Sequence, residues 1–100
     1  MEITYRVDKD ILYIAIDGRI DASNAGAAEE QIFAIRNENP GKHTVIDADK
    51  LAYISSAGLR VILKAQKAMN AKGGMKILHV NETIMEIFEI TGFSDILDIE

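Results

Sequence analysis

HTVIDADKLAYISSAGLRVILKAQKAMNAKGG, residues 43 to 74, holds a strand and a helix in succession. His43 to Ala48 is a short strand whose neighbouring Val45 and Ile46 call for cover on both faces. From Ile54 to Ala71 the apolar period lengthens. Leu59, Ile62, Leu63 and Met69 form one helical face, widened by Val61, Ala65 and Ala68; Arg60, Lys64 and Lys67 lie opposite, three and four residues apart. Gly73 and Gly74 can supply the left-handed residue that ends such a helix. A buried strand leading into an amphipathic helix is the unit of an α/β fold, so this stretch decides the class.

Outward from it, the same units recur. Toward the N-terminus, Ala25, Ala28, Ile32 and Ile35 make a helical stripe within residues 22 to 37, which Asn39-Pro40-Gly41 stops. Phe33 lies off that stripe. Before it, Ile3, Tyr5 and Val7 alternate with polar residues, and Ile11 to Ile16 is a denser apolar run ending at Asp17-Gly18. The short polar turn Asp8-Lys9-Asp10 makes these an antiparallel hairpin. Toward the C-terminus, Met75 to Val80 reads as a strand. A helix follows, capped by Asn81 or by Thr83 with Glu86, facing inward with Ile84, Ile87 and Phe88 and ending at Gly92. Ile96, Leu97 and Ile99 are a last short strand or a tail.

The predicted order is β-β-α-β-α-β-α-(β): an α/β fold with a four- to five-stranded mixed sheet and about three main helices, packed mainly on one face. Residues 1 to 100 form a single domain, since domains usually need about 50–250 residues.

Composition narrows the chemistry. Eleven basic against 16 acidic residues leave a formal charge of -5, with no run of three basic residues, which argues against general nucleic-acid binding. No cysteine means no disulfide, thiolate metal site or Cys nucleophile. His43 and His79 lack partners at metal-ligand spacing, and there is no HExxH, Walker lysine, GxGxxG or GxSxG. No catalytic, cofactor or metal site is expected, and a nucleotide-binding enzyme is disfavoured. The opening residues carry acidic groups unlike a signal peptide, and no segment approaches the roughly 20 apolar residues of a membrane span. The expectation is a cytoplasmic, non-membrane protein.

Leu51-Ala52-Tyr53-Ile54-Ser55-Ser56-Ala57-Gly58-Leu59-Arg60 is the stretch that invites a functional reading. Ser55 or Ser56 can cap the long helix, and Gly58 costs helix stability of about 1 kcal/mol against alanine. An ordinary cap and a packing glycine explain both. The alternative is a solvent-facing hydroxyl among small residues at a helix N-terminus, where the helix field favours negative charge and a phosphoryl group can be accommodated. Loops leaving neighbouring parallel strands gather along one sheet edge, which places Asp21, Asp47 and Asp49 nearby. With carboxylates around it, a phosphoserine would act as a repulsive switch, adding about -1.5 to -2 charge. ATP and magnesium would come from a kinase partner.

Three ordered motifs resemble STAS domains, specifically the stand-alone bacterial anti-sigma factor antagonists. They are Asp17-Gly18-Arg19-Ile20-Asp21, the block from Val45 to Gly74, and Thr83 to Phe93. The resemblance covers essentially the whole chain. It implies a small sheet backed by helices on one side, with an exposed N-terminal strand. It also implies that the unphosphorylated protein binds an anti-sigma factor that is a GHKL-type serine kinase, releasing a sigma factor. Phosphorylation would break the complex and a PP2C-type phosphatase would restore it. In the family's D-S-S/T-G-L pattern, Ser55 replaces the aspartate, Ser56 matches the acceptor, Ala57 replaces the second hydroxyl, and Gly58-Leu59 match. Ser56 is therefore the expected phosphosite, with Ser55 the fallback, and Asp21 matches the family's aspartate near the acceptor. The expected partner surface comprises Asp21, Ser23, Asn24, Ile54, Ser55, Ala57, Gly58 and Arg60, with Ile54, Ala57 and Gly58 contributing apolar contact where accessible. A STAS scaffold subunit of a sensory, lipid-transport or other non-sigma complex is the alternative function. A monomer is the default, although an exposed edge strand could pair two copies.

Overall fold

Alternation builds the first two strands, β1 (Glu2–Asp8) and β2 (Ile11–Ile20), which pair antiparallel from Glu2↔Asp17 to Asp8↔Ile11. The computed structural model describes residues 1 to 70 and 73 to 100. Helix α1 (Ala25–Glu38), β3 (His43–Asp47), β4 (Leu51–Ile54), α2 (Ser56–Asn70), β5 (Met75–Leu78) and α3 (Glu82–Thr91) follow, then a 3₁₀ turn at Phe93–Asp95. The expected end of the long helix at Ala71 lies outside the described residues.

Along the main path the strand order is β1-β2-β3-β5, and β4 joins by pairing with β2. Two features of this arrangement differ from the sequence reading. Strand β2 does not stop at Asp17-Gly18. Gly18 takes φ +103° without ending the strand, so the dipeptide that reads as a turn lies inside a ten-residue strand. The register with β4 slips after Gly18↔Leu51, where Ala52 is the extra residue before Arg19↔Tyr53. Along its length β2 changes partner: Ile11 to Ala15 lie parallel to β3, whereas Gly18 to Ile20 lie parallel to β4. Strand β4 itself is the second difference, since the sequence reading assigned Ile54 to the helix and Leu51 to Tyr53 to no element.

Helices cover one face of the sheet. Leu12, Ile14, Ile16 and Ile20 of β2 join Ile46, Ile77, Ala28, Ile32, Ile62, Ala65, Ile84 and Phe88 in one core. Full burial of such side chains stabilises by roughly 1.5–3 kcal/mol each. The expected α1 stripe is present, with Ala25, Ala28 and Ile32 buried and Ile35 half-buried. Phe33 is half-buried, with the cations of Arg36 and Lys64 each 6.0 Å from its ring. In α3, Asn81 rather than Thr83 is the cap, its Oδ1 accepting from the Ile84 N–H at 2.9 Å, and its Nδ2 donates to the Leu51 carbonyl. One side chain thus starts α3 and ties it to β4.

Among the described residues, the opposite face of the sheet carries no helix. Val45 on this face is only 1% exposed, standing in register between Tyr13 and Lys76. Arg6 lies over the Tyr13 ring at 4.0 Å. The cover expected for both neighbours Val45 and Ile46 is therefore supplied on one side by side chains alone. After the 3₁₀ turn the tail forms a single parallel bridge, Ile77↔Ile99. Buried Gln66, which the apolar reading of α2 passed over, holds it: Oε1 accepts from Asp98 N–H, and Nε2 donates to Asn70 Oδ1 and the Met75 carbonyl.

Candidate functional site

The end of β2 and the end of β4 run side by side into the mouth of α2. Ile20 pairs with Ile54, and the Ile20 carbonyl accepts from the Ser55 N–H at 2.9 Å. Asp21 and Ser55 therefore leave adjacent strands together. Ser55 is the residue before the helix: its carbonyl accepts from the Leu59 N–H at 2.9 Å, and its Oγ accepts from the Gly58 N–H at 3.3 Å. That hydroxyl satisfies one of the free amides of the first turn. Ser56, the first residue within α2, is exposed, whereas Ser55 is half-buried. The two adjacent hydroxyls have been divided between capping and solvent.

Gly58 acts beneath this surface. A Cβ there would meet Ile54 Cγ1 at 2.6 Å and Ile20 Cγ2 at 2.9 Å, so the helix can sit this close to β2 and β4 only without a side chain. Gly58 is buried, and Ile54 is 1% exposed. Both were expected on the partner surface, and neither is on it; they seat the helix instead. Ala57 is half-buried and Arg60 exposed, so these two do reach the surface, with Ser56.

Asp21 is held in a tight turn leading into α1. Its Oδ1 accepts from Ser23 N–H at 2.9 Å and from Ser23 Oγ at 2.5 Å, while Arg19 Nε lies 3.6 Å from Oδ2. The two Ser23 hydrogen bonds, with Arg19 adding a nearby positive charge, hold the carboxyl below its ordinary value of 3.8. It is ionised at neutral pH. Asn24 braces the loop, accepting from Asp21 N–H and donating to the Arg19 carbonyl, both at 2.9 Å. Asp21, Ser23 and Asn24 thus form one hydrogen-bonded turn beside the mouth of α2.

Two neighbours went unread in the sequence. Arg19 and Tyr53 pair across β2 and β4, with the guanidinium 4.8 Å from the ring centre. Tyr53 is 39% exposed. An aromatic residue two before the serine was a usable signal only with β4 recognised.

Asp47 and Asp49 are not part of this site. Asp47 pairs with Ala15, six residues before Asp21 on β2, or roughly 20 Å at about 3.3 Å per residue. The cause is β4, which takes the place beside the end of β2 that the reading gave to the loop after β3. Asp47, Asp49, Glu2 and Asp17 line a cleft of about 270 Å³ on the open sheet face, together with Lys50 and Thr4. There Asp47 Oδ1 lies 2.9 Å from His79 Nδ1. His43 Nδ1 donates to the Gly73 carbonyl. Among the described residues no three His, Cys, Asp or Glu side chains converge as metal ligands, and no helix is long and apolar enough to cross a membrane.

The STAS domain family model matches residues 2 to 100. BtrV of Bordetella bronchiseptica, to which an anti-sigma factor antagonist role is ascribed, is 30% identical over 99% of this chain and 85% of its own. The anti-sigma-B factor antagonist of Bacillus subtilis is 26% identical, covering 99% of this chain and 90% of its own. Among solved structures, an anti-sigma factor antagonist from Mycobacterium paratuberculosis superposes with a TM-score of 0.87 at 18% identity, over 98% of this chain and 83% of that one.

Proposed function

The chain belongs to the STAS domain family, and on that footing we propose that it is an anti-sigma factor antagonist switched by phosphorylation of Ser56. The unphosphorylated protein binds an anti-sigma factor that is also a GHKL-type serine kinase, and so frees a sigma factor. A PP2C-type phosphatase returns the modified protein to the binding form. The observation that carries this reading is the division of labour at the mouth of α2: Ser55 Oγ is committed to the Gly58 amide, while Ser56 faces solvent one residue later.

The geometry supplies a reason for each part of the switch. Phosphoryl transfer needs the acceptor oxygen in line with the γ-phosphorus, and an exposed first-turn serine can enter another protein's active site without unfolding the helix. The protein's own residues do little chemistry; the kinase supplies the nucleotide, the metal and the base. Once formed, the phosphate has the free amides of the first turn on one side and the ionised Asp21 loop on the other. A partner docked over Ser56, Ala57, Arg60 and the Asp21–Asn24 turn then meets about two added negative charges. Like charge forced into an interface costs several kcal/mol, enough to reverse binding.

The family aspartate that Ser55 replaces is also a good cap, because aspartate and serine rank together at this position. The substitution therefore keeps the helix start and removes one negative charge beside the acceptor.

Incubation with any GHKL kinase found encoded near the gene, with ATP, followed by mass-spectrometric mapping, tests the reading. Label on Ser56, lost in Ser56→Ala and kept in Ser55→Ala, is the expected result. Label that survives Ser56→Ala and disappears in Ser55→Ala moves the switch to Ser55. A protein that binds the kinase but is labelled on neither serine is a scaffold, and the switch is then discarded.

A further inference from the structure

The two edges of the sheet are treated differently. At β5 the tail fills the edge: Ile77 N–H donates to the Asp98 carbonyl at 2.8 Å, and Glu100 N–H to the Ile77 carbonyl at 2.9 Å. At β1, among the described residues, no strand lies outside the hairpin. The bonds of β2 tell which β1 groups are left over. The Asp10 and Ile20 carbonyls and the Gly18 N–H all serve the β3 and β4 side. Even-numbered positions of β2 therefore address that side, and Ile11, Tyr13, Ala15 and Asp17 address β1. Their register partners Asp8, Arg6, Thr4 and Glu2 use the inner edge of β1. Ile3, Tyr5 and Val7 turn their N–H and C=O groups outward. The same three residues carry the apolar side chains, with Tyr5 49% and Val7 43% exposed.

We propose that this edge pairs with β1 of a second copy of the chain, antiparallel about a two-fold axis at Thr4. The outward groups allow only registers that match odd residues with odd, and charge chooses among them. An axis at Tyr5 would set Glu2 opposite Asp8 twice, and an axis at Arg6 would oppose the two Arg6 side chains. The axis at Thr4 places Glu2 opposite Arg6 twice, at the non-hydrogen-bonded positions where facing Cα atoms approach to about 4.5 Å. It also sets Ile3 beside Tyr5 of the other copy on the apolar face. In the single chain Arg6 lies over Tyr13 of β2, so its guanidinium swings outward to make this contact. Because β1 and β4 flank β2 on opposite sides, the inference does not rest on the reading of Ser56.

The chain has no cysteine, so Thr4→Cys places a lone thiol at the axis. Sedimentation equilibrium of the unmodified protein should show a concentration-dependent dimer. Under mild oxidation, Thr4→Cys should cross-link at least about tenfold faster than Tyr5→Cys, whose thiol would face Ile3 of the other copy. Arg6→Glu, with circular dichroism unchanged, should weaken self-association about tenfold or more, and adding Glu2→Arg should restore it. A monomer at every concentration, with equal cross-linking rates, overturns the proposal and leaves the edge to a strand from another protein. Faster cross-linking through Tyr5→Cys overturns the register.

Discussion

Two groups of carboxylates follow the ends of parallel strands in this protein, and only one stands beside a helix N-terminus. Asp21 leaves β2 next to Ser55 and the first turn of α2. Asp47 and Asp49 follow β3 onto the open sheet face, where Glu2 and Asp17 join them and His79 partners Asp47. What separates them is a four-residue strand, β4. Similar residues therefore have different consequences. At the α2 mouth the carboxylate adjoins a free hydroxyl and several backbone donors. In the cleft it has a histidine and an amide, and no helical residue is in the lining.

The sharpest way to break this comparison is to change the charge at each place. Ser56→Asp should weaken binding of the kinase partner at least about tenfold in a calorimetric titration, with full phosphorylation having the larger effect. Removing charge from the cleft by Asp49→Asn should leave that affinity unchanged. A gain from Asp49→Asn that mirrors the loss from Ser56→Asp would show that overall negative charge, not position, governs docking.

Next comes the seat of the helix. Gly58→Ala gains helix propensity of about 1 kcal/mol, yet places a methyl group against Ile54 and Ile20, and overpacking of this kind costs about 1–3 kcal/mol. A net loss of up to about 2 kcal/mol is expected in urea unfolding. Stabilisation would mean that α2 can lift off β4 freely. The two serines should then separate: Ser55→Ala should cost about 1 kcal/mol through loss of the cap, and Ser56→Ala less than about 0.5 kcal/mol. Comparable losses would contradict the division of hydroxyls between them.

The smallest effect belongs to the cleft. The hydrogen bond to Asp47 raises the pKa of His79 above 6.5. Burial alone would raise Asp47, but the His79 and Asp49 hydrogen bonds outweigh it and hold the carboxyl below 3.8. The histidine contribution is complete below 6.5 and is lost as pH rises through the raised value. The aspartate contribution is present above 3.8 and is lost as pH falls through the lowered value. The pair therefore contributes most between 3.8 and 6.5. His79→Asn suits the site, because residue 79 has φ +61° and asparagine tolerates that region. The stability difference between this variant and the parent should be larger at about pH 5.5 than at about pH 8.5. A pH-independent difference would remove the ion pair from the account.

Much of this fold is legible in the residue order because its elements are long or punctuated. The stripes of α1 and α2, the Asn81 cap and the Gly92 terminus are local signals, and all stand where the periodicity put them. Strand β4 escaped for a local reason as well. Its burial runs buried, exposed, exposed, buried, so four residues show no alternation, and Ile54 continues into an apolar helix pattern. Gly18 misled because Asp-Gly suits a turn, whereas here a glycine at positive φ continues the strand.

The site divides in the same way. Position and residue type alone narrow the acceptor to Ser55 or Ser56 and, with no cysteine, exclude thiol chemistry; the choice of Ser56 and its match to Asp21 come from the family resemblance. The order of residues likewise determined the α/β class and the family motifs, since each depends on neighbours within one turn or one strand. Only the folded chain decided that Ser55 is the cap, that Gly58 and Ile54 lie underneath, and that Asp47 and Asp49 belong to another surface. Those outcomes depend on which strand lies beside the end of β2, a pairing between residues more than thirty positions apart that no local pattern encodes.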